Sequence, residues 1–519
     1  ASIAQTLETL GLLCRLPEVF FETVPLLFVR ACELLKKATV GSSSSSSVGF
    51  LLFRAVCNIV HRNTGKAQIV TWVASGRNEV SASKDEREGG DSSSSSPSSS
   101  SSPPPSSSSI LTGFVNLVTD QGPSATALPS DLFRDMVEVI RSTIQNLPRA
   151  LKKLAVEQIL STTRDIVSEL AVKDSGDAGG VSTERARQCF LVLSTAVCSA
   201  EKDTVLELPR LQHLFCQLCD IARAKSCHRS ISCVAAQVVA SILNKIPKSL
   251  KATLEEFLAI VGYTSESGVA PGSFLRQAEL FAWVSKGLLM RRHAQGMELC
   301  LEFCKVVANG SDGGAFSEAE TQAAIDGLRV IVRDSQAALC TECSIHISSF
   351  YKHSVFRRVV PLLLKKVVFS KERSREQQFY VVHAIMVLTM HSPRSVVRAE
   401  LGNLLPVIVL ALTSESLILQ ASCLPAVVML LKNNDVEPLI PHADSCVKSL
   451  LRLSLRGSTP ATCVPAIECL SMLRRLPQPV ALRVRDSIIS GLWQILDHPS
   501  LNVRSAAVAC RNQWFTHSV

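Results

Sequence analysis

The chain has 519 residues, of which 46% are hydrophobic, 5% aromatic and 19% charged, and its formal net charge is +9. This length is too great for one hydrophobic core, since domains usually have about 100 to 200 residues, unless the chain is a repeat array. The hydrophobic content excludes a chain that is disordered throughout. The three tyrosines and four tryptophans argue against an immunoglobulin-like sandwich and against an aromatic platform for single-stranded nucleic acid.

Two serine-rich segments interrupt the N-terminal third of the chain. The first runs from Ser42 to Ser47 and the second from about Lys84 to Ser109. Neither segment can bury enough apolar surface to offset the entropy of ordering. Both are therefore predicted to be flexible insertions between folded elements.

Outside these segments, apolar residues recur at intervals of three and four, which is the spacing of one face of an α-helix. The amphipathic stretches are 132–144, 151–170, 204–224, 274–289, 401–412 and 480–496. No stretch shows sustained period-two alternation, so no sheet is predicted. The sequence therefore predicts an all-α protein.

The C-terminal part repeats at an interval of about 40 residues. Cys423-Leu424-Pro425-Ala426 recurs as Cys463-Val464-Pro465-Ala466, and Ser505-Ala506-Ala507-Val508 follows at about the same offset. Each motif lies in the second helix of its unit. This period, with two helices per unit, is typical of HEAT or armadillo repeats. We therefore predict an α-solenoid of stacked helix pairs with roughly a dozen units.

Details of the repeat give local predictions. Pro425 and Pro465 lie inside second helices and are predicted to bend them, because proline removes a backbone donor. In the segment from Asp497 to Arg504, an acidic residue is predicted to cap one helix while Val503-Arg504 begins the next.

The repeats and insertions predict four regions. They are N-terminal HEAT-like repeats at 1–83 with a serine-rich loop at 42–47, a disordered Ser/Pro-rich insertion at 84–110, central HEAT repeats at 111–310, and C-terminal, partner-docking HEAT repeats at 317–519. The chain opens at Ala1 without an initiator methionine or a visible signal peptide, so we expect a fragment of a longer protein. The most apolar stretch, Leu404 to Leu431, is interrupted too early to span a bilayer, and a soluble protein is expected.

No catalytic motif is present: the chain lacks a Gly-rich phosphate loop, His-Glu-x-x-His and Gly-x-Ser-x-Gly. Because solenoids of this kind serve as binding surfaces, we expect no catalytic residues and no enzyme activity.

The eighteen cysteines are scattered rather than set at disulfide-framework spacings, so a reducing compartment is expected. Three groups resemble metal sites by residue type. They are Cys216 and Cys219 with His213, Cys227, His228 and Cys233; Cys340 and Cys343 with His346; and Cys300 with Cys304. Thiols buried at helix interfaces are the favoured interpretation, because a structural zinc site needs four converging ligands. We therefore predict no metal site and no cofactor, while metal binding by the Cys216 group stays open.

The positive charge is concentrated near the C-terminus. Residues 1–351 contain 34 Lys and Arg against 35 Asp and Glu, residues 352–400 contain ten against three, and residues 401–519 contain ten against seven. The clustered basic residues are Arg357, Arg358, Lys365, Lys366, Lys371, Arg373, Arg375, Arg474, Arg475, Arg483 and Arg485. Nucleic acid, an acidic protein partner and a solvated helix edge are three interpretations. Among binding partners we favour protein, because few aromatics lie nearby and no nucleic-acid reader module is recognisable.

Four segments resemble one known family. They are Phe281–Arg291 with its Ala-Trp-Val and Leu-Leu, Tyr351–Pro361, Leu473–Val480, and the ending from Val503-Arg504 through Ala507-Val508 and Arg511 to Trp514-Phe515. In this order they resemble the large HEAT-repeat scaffold of the cytosolic iron–sulfur protein assembly targeting complex. That family is also described as a methyl-methanesulfonate sensitivity and nucleotide excision repair factor. The resemblance covers about Phe274 to Val519, whereas the preceding residues are only compatible repeats.

The resemblance implies a non-catalytic adaptor that hands iron–sulfur clusters to apoproteins. Its partners would be a small cluster-assembly protein, the β-propeller subunit that this protein holds, and apo clients such as DNA helicases, polymerases and primase. Direct membrane contact is not implied, direct DNA contact is disfavoured, and a homodimer stays open. The implied locations are the cytoplasm and the nucleus. An importin-like transport receptor or another HEAT-repeat cargo adaptor is the alternative.

The resemblance also points to protein-binding residues in the C-terminal repeats. These are Arg357, Arg358, Lys365, Lys366, Arg474, Arg475, Arg483, Arg485, Arg504, Arg511, Trp514 and Phe515. The closing pair Trp514-Phe515 would either cap the end of the core or stand as an interface anchor. Because terminal repeats need a cover for their last apolar face, the cap is favoured.

Overall fold

The computed structural model describes residues 3–38, 43–64, 69, 73, 110–119, 128–172, 183–224, 227–262, 274–310, 316–335, 338–343, 345–368, 375–432, 437–456 and 459–516. Within these ranges the regular elements are all helices, which confirms the all-α prediction. No helix in the described ranges is long and apolar enough to cross a membrane.

The chain divides into two compact units, and the first comprises residues 1–264 and 335–347. Its helices are α1 (Ile3–Leu13), α2 (Pro17–Ala38), α3 (Ser43–Asn63), α4 (Ile110–Thr119), α5 (Ser130–Asn146), α6 (Arg149–Val172), α7 (Thr183–Ser199), α8 (Lys202–Leu206), α9 (Leu211–Arg223), α10 (Arg229–Lys245), α11 (Lys251–Ile260) and the 3-10 helix η1 (Thr341–Cys343). One row is formed by α3, α5, α7 and α10, and a second by α6, α9 and α11. Apolar side chains from both rows form the core between them.

The second unit comprises residues 265–334 and 348–519. Its helices are α12 (Phe274–Met290), α13 (Ala294–Asn309), α14 (Glu318–Val332), α15 (Tyr351–Val368), α16 (Arg375–His391), α17 (Arg394–Ala399), α18 (Leu401–Thr413), α19 (Leu417–Lys432), α20 (Ala443–Arg456), α21 (Pro460–Met472), α22 (Gln478–Ile495) and α23 (Leu501–Phe515), with 3-10 helices η2 (Glu437–His442) and η3 (Leu473–Arg475). One row is α12, α14, α16, α19, α21 and α23, and the other runs from α13 and α15 through α17 to α18, α20 and α22. This two-row stack is the packing of an α-solenoid.

The 40-residue repeat corresponds to helices that stack in one row. Cys423 of α19 and Cys463 of α21 are both fully buried. In α23 the equivalent buried position is Val503, while Ser505 is exposed. The predicted alignment of Ser505 with Cys423 and Cys463 was therefore shifted by two residues toward the C-terminus. The buried face of each helix, rather than residue type, determines which positions are equivalent.

Two segments differ from the predicted secondary structure. Ser43 to Ser47 belong to the first turns of α3, so the structure has no loop at these residues. Serine is well tolerated at a helix N-terminus, and the apolar stretch that follows carries the helix. The helix predicted at 204–224 is split into α8 and α9, because Pro209 and the left-handed Arg210, at φ 59°, interrupt it.

The division into four regions stays a prediction. The insertion at 84–110 lies outside the described residues except for Ile110, which begins α4. The two units divide the chain near 264, whereas the predicted boundary between central and C-terminal repeats was near 310. The predicted boundary was placed at a Gly-rich loop. In a repeat array every loop joins similar helices, so the composition of a loop does not show whether two units meet there.

A buried lysine closes a helix end in each unit. Lys245 Nζ donates to the carbonyls of Val197, Cys198 and Ala200 at 2.6 to 2.8 Å, at the C-terminus of α7. Lys286 Nζ donates to the carbonyl of Arg333 at 2.5 Å, just after α14. Burial lowers the pKa of each lysine to about 8. A cation at a helix C-terminus satisfies carbonyls that have no partner within the helix.

Candidate protein-docking site

The first predicted basic cluster forms a patch on α15. Arg357, Arg358, Lys365 and Lys366 are all exposed, and we call them the α15 patch. Valines and leucines of the same helix, such as Val359 and Leu363, are buried, so the helix is amphipathic as its sequence predicts. Lys371 and Arg373 lie outside the described residues, and the side chain of Arg375 is likewise not described.

The second basic cluster lies on the last two helix pairs. Arg474 and Arg475 are exposed in η3, and Arg475 donates to the carbonyl of Leu431 at 3.1 Å. Arg483 of α22 forms an ion pair of 3.1 Å with Asp444, in which both side chains are 54% exposed. Such an exposed pair contributes little to folding and leaves the arginine available to a partner.

At the end of the unit, an arginine lies between two exposed aromatic rings. The guanidinium of Arg511 lies 4.6 Å from the ring centroid of Trp493 and 5.0 Å from that of Phe515. Trp493 is 61% exposed and Phe515 is 50% exposed. Arg485 Nη2 donates to the carbonyl of Phe515 at 3.4 Å. We call Arg485, Trp493, Arg511 and Phe515 the terminal patch.

The chemistry of the terminal patch fits a protein interface. Arginine stacks on aromatic faces at these distances, and the stacking holds its planar group in one orientation. Tryptophan and arginine are also the residues most enriched among those that dominate binding energy. An ordered guanidinium flanked by apolar rings can donate hydrogen bonds to a partner's carboxylate while the rings bury apolar surface of that partner.

The closing Trp514-Phe515 pair is divided between the core and the surface. Trp514 is fully buried, and its indole Nε1 donates to the carbonyl of Leu470 at 3.0 Å. It therefore covers the end of the core, as the cap interpretation requires, and presents no surface to a partner. Phe515 is exposed and belongs to the terminal patch.

The turn before α23 is held by arginine rather than by an acidic cap. Arg504 Nη1 donates to the carbonyls of His498 at 2.7 Å and Pro499 at 2.9 Å. The N-cap residue of α23 is Ser500, not Asp497, so the predicted acidic cap was wrong. The acidic residue lies too far before the helix start to reach its first amides.

Sequence reasoning missed Trp493, although its sequence carries a signal. The buried residues of α22 include Ala481, Val484, Ile488, Leu492 and Ile495, which recur at intervals of three and four. Trp493 directly follows a member of this stripe, so it must point away from the core. A large aromatic residue out of register with the apolar stripe of its helix predicts an exposed anchor.

The structure places the basic residues in two neighbourhoods. The α15 patch lies on a helix that packs with α13, α16 and α17, whereas α22 and α23 pack with α20, α21, η3 and each other. Arg474 extends the terminal neighbourhood, because its charge acts on the buried thiol of Cys510 in α23.

The three cysteine groups that resemble metal sites in the sequence belong to the packing of the helices. All eighteen cysteines are described as thiols, thirteen buried and five half-buried. Cys216 and Cys219 lie on the continuous helix α9, while the ring of His228 caps α10 by accepting from the Ser230 amide. Among the described residues, no three His, Cys, Asp or Glu side chains are grouped so as to hold a metal ion.

Residues 102–510 match the family described as RNAPII transcription regulator C-terminal, MMS19_C. The chain is 30% identical over 331 residues to the MMS19 nucleotide excision repair protein homolog of Bos taurus, covering 63% of this chain and 30% of that protein. It is 24% identical over 287 residues to the DNA repair/transcription protein mms19 of Schizosaccharomyces pombe, covering 54% of this chain and 27% of that protein. The chain thus spans less than a third of the length of these relatives.

Among solved structures, Kap121p bound to RanGTP aligns over 94% of this chain and 45% of that chain, with 13% identity and a TM-score of 0.46. A likeness this weak supports no statement about a transport function.

The family match begins well before Phe274, where the motif resemblance began, and it covers most of the chain. The motifs around Trp283, Arg474 and Trp514 all lie within or directly after the matched residues. This chain belongs to the MMS19 family.

Proposed function

We propose that the protein is a non-catalytic adaptor of the cytosolic iron–sulfur targeting machinery. The cluster is cargo held by other components and by the apoprotein clients, so the chain itself needs no cofactor. The clients in this proposal include DNA helicases, polymerases and primase, which would account for relatives named after DNA repair. The proposed places of action are the cytoplasm and the nucleus.

Within this proposal, the terminal patch docks the small cluster-assembly protein that in turn holds the β-propeller subunit. The observation that carries this assignment is the stacking of Arg511 between the exposed rings of Trp493 and Phe515. Arg474 and Arg475 of η3 and Arg483 of α22 are exposed in the same last helix pairs, and we assign them to the rim of the interface. An apolar and aromatic centre with a charged rim is the usual anatomy of a protein interface.

The test is capture of the purified partner pair by the immobilised chain. Trp493→Ala with Phe515→Ala removes both rings, and Arg474→Glu with Arg475→Glu reverses charge at the rim. We expect the ring variant to bind the partner pair at least tenfold more weakly, because such anchor residues typically contribute about 2 kcal/mol or more to binding. The rim variant should mainly slow association, and the difference should shrink at high salt.

Two matched controls separate docking from general surface effects. Phe350 is 57% exposed elsewhere in the second unit, so Phe350→Ala removes an equally exposed ring. Arg394→Glu with Arg398→Glu reverses the same charge at two exposed arginines of α17 that belong to neither patch. Capture unchanged in the ring variant, or lost equally in both controls, would contradict docking at the terminal patch.

A further inference from the structure

Cys340 and Cys343 lie one turn apart in the first unit. The Cys343 amide donates to the Cys340 carbonyl at 3.0 Å, and the two sulfur atoms are 3.3 Å apart. Residues three apart in a 3-10 helix lie on the same face. A disulfide bond is about 2.05 Å long, so the sulfurs need to approach by only about 1.2 Å to form one.

The surroundings of the two thiols differ. Cys340 is half-buried, whereas Cys343 is buried in a small cluster with Cys198 and Ala338. Beside them, Arg141 forms an ion pair of 3.3 Å with Glu342. Cys340 is therefore the more exposed thiol of the pair, and the buried Cys343 sulfur is in contact with it.

The hydrogen bond between the two sulfurs gives them opposite acidities. Either sulfur can be the donor in this contact. With the Cys343 thiol as donor, the pKa of Cys340 falls to about 6 and the pKa of Cys343 rises. Burial opposes this shift, a hydrogen bond from the Glu342 backbone and the charge of Arg141 support it, and the charge of the Glu342 carboxylate opposes it. The lowered pKa favours the thiolate form of Cys340, and the thiolate is the nucleophilic form of cysteine.

We propose that Cys340 and Cys343 are a redox-active dithiol that reacts with low-molecular-weight disulfides such as glutathione disulfide. The Cys340 thiolate attacks one sulfur of the reagent, forms a mixed disulfide and releases one small thiolate. The Cys343 thiol then gives its proton to water and attacks the Cys340 sulfur. This step forms the Cys340–Cys343 bond and releases the second small thiolate. The two cysteines lose two electrons, which reduce one small disulfide to two thiols.

The second step is favoured by the first. The hydrogen bond to the Cys340 sulfur is the largest cause of the raised pKa of Cys343, and it disappears once Cys340 is in a mixed disulfide.

Two other cysteine pairs in the chain provide internal controls. Cys216 and Cys219 have the same spacing but lie on the regular α-helix α9, with Cys219 fully buried. Cys300 and Cys304 lie one turn apart on α13, and both are buried. In neither pair does a partly exposed cysteine have its sulfur in contact with a second cysteine sulfur, as Cys340 does.

The experiment oxidises the reduced chain with excess glutathione disulfide in chelator-treated buffer, alkylates the remaining thiols and digests with trypsin. Cys340 and Cys343 fall in one peptide, Asp334–Lys352. We expect this peptide to lose two hydrogen atoms and to resist alkylation, and dithiothreitol should reverse both changes. The peptides of the two control pairs should stay alkylated. If Asp334–Lys352 stays doubly alkylated, or if all three pairs oxidise together, the proposal is wrong.

Variants separate the roles of the two thiols. Cys343→Ser should retain one glutathionyl group on Cys340, because no second thiol resolves it, and Cys340→Ser should take up none at Cys343. In the wild-type chain, the rate of Cys340 alkylation should rise as the pH increases, with a midpoint near pH 6. An ordinary thiol has its midpoint at about pH 8.5. An ordinary midpoint together with no adduct in Cys343→Ser would overturn the assigned roles.

Discussion

At the scale of single residues, the last two aromatic side chains show how neighbours in sequence acquire different roles. Trp514 fills the end of the core and bonds to Leu470, whereas Phe515 is half exposed against Arg511. The sequence singled out the pair because the chain has so few aromatic residues. It could not assign the roles, since the helical position relative to the buried stripe decides them.

This division predicts different costs of truncation. Trp514→Ala should destabilise the chain by about 3 to 5 kcal/mol, because it leaves a cavity and an unpaired carbonyl. Phe515→Ala should change stability by less than about 1 kcal/mol, because the residue is already half exposed in the folded state. The measurement is the shift in urea midpoint, and equal shifts for the two variants would contradict the assignment.

At the scale of helices, glycines mark the closest contacts between neighbouring elements. A Cβ atom at Gly327 of α14 would overlap the ring of Phe303 on α13, whereas a Cβ at Gly402 of α18 meets nothing within 4 Å. The sequence predicted the helix that contains Gly402, at 401–412, and it did not single out the helix that contains Gly327. Nothing in the spacing of apolar residues distinguishes a glycine at a helix contact from one facing solvent.

The two glycines form a matched pair for a stability test. Gly327→Ala should destabilise the second unit by about 1 to 3 kcal/mol, since overpacking outweighs the better helix propensity of alanine. Gly402→Ala should be neutral or stabilise by up to about 1 kcal/mol. Denaturation by urea measures both effects, and a stabilising Gly327→Ala would show that α13 and α14 can separate at no cost.

At the scale of the whole molecule, buried thiols are distributed through both units. Burial raises the pKa of Cys189, Cys219, Cys469 and Cys510 to about 12 and that of Cys446 to about 11. The folded state therefore holds these protons at pH values where the unfolded state has lost them. Their stabilising contribution is complete below about pH 8.5 and is lost as pH rises toward the folded pKa values.

This linkage predicts that the chain loses stability in alkaline solution. The melting temperature should fall progressively above pH 9, with each fully buried thiol contributing up to about 2 kcal/mol of loss by pH 10. Replacing one such thiol, in Cys446→Ala, should lower stability at pH 7 but make the alkaline slope shallower. Parallel slopes for the variant and the wild-type chain would exclude the thiol as a cause.

The sequence by itself determined the all-α class, the 40-residue period, the family and the location of the positive charge, because these depend on residue types and on spacing along the chain. Only the tertiary structure decided that Trp493 and Phe515 flank Arg511, that Trp514 is covered, and that Cys343 contacts Cys340. These facts depend on where separate segments of the chain meet. Apolar periodicity specifies which face of a helix is buried, but it does not specify which residues of another helix or turn lie opposite that face.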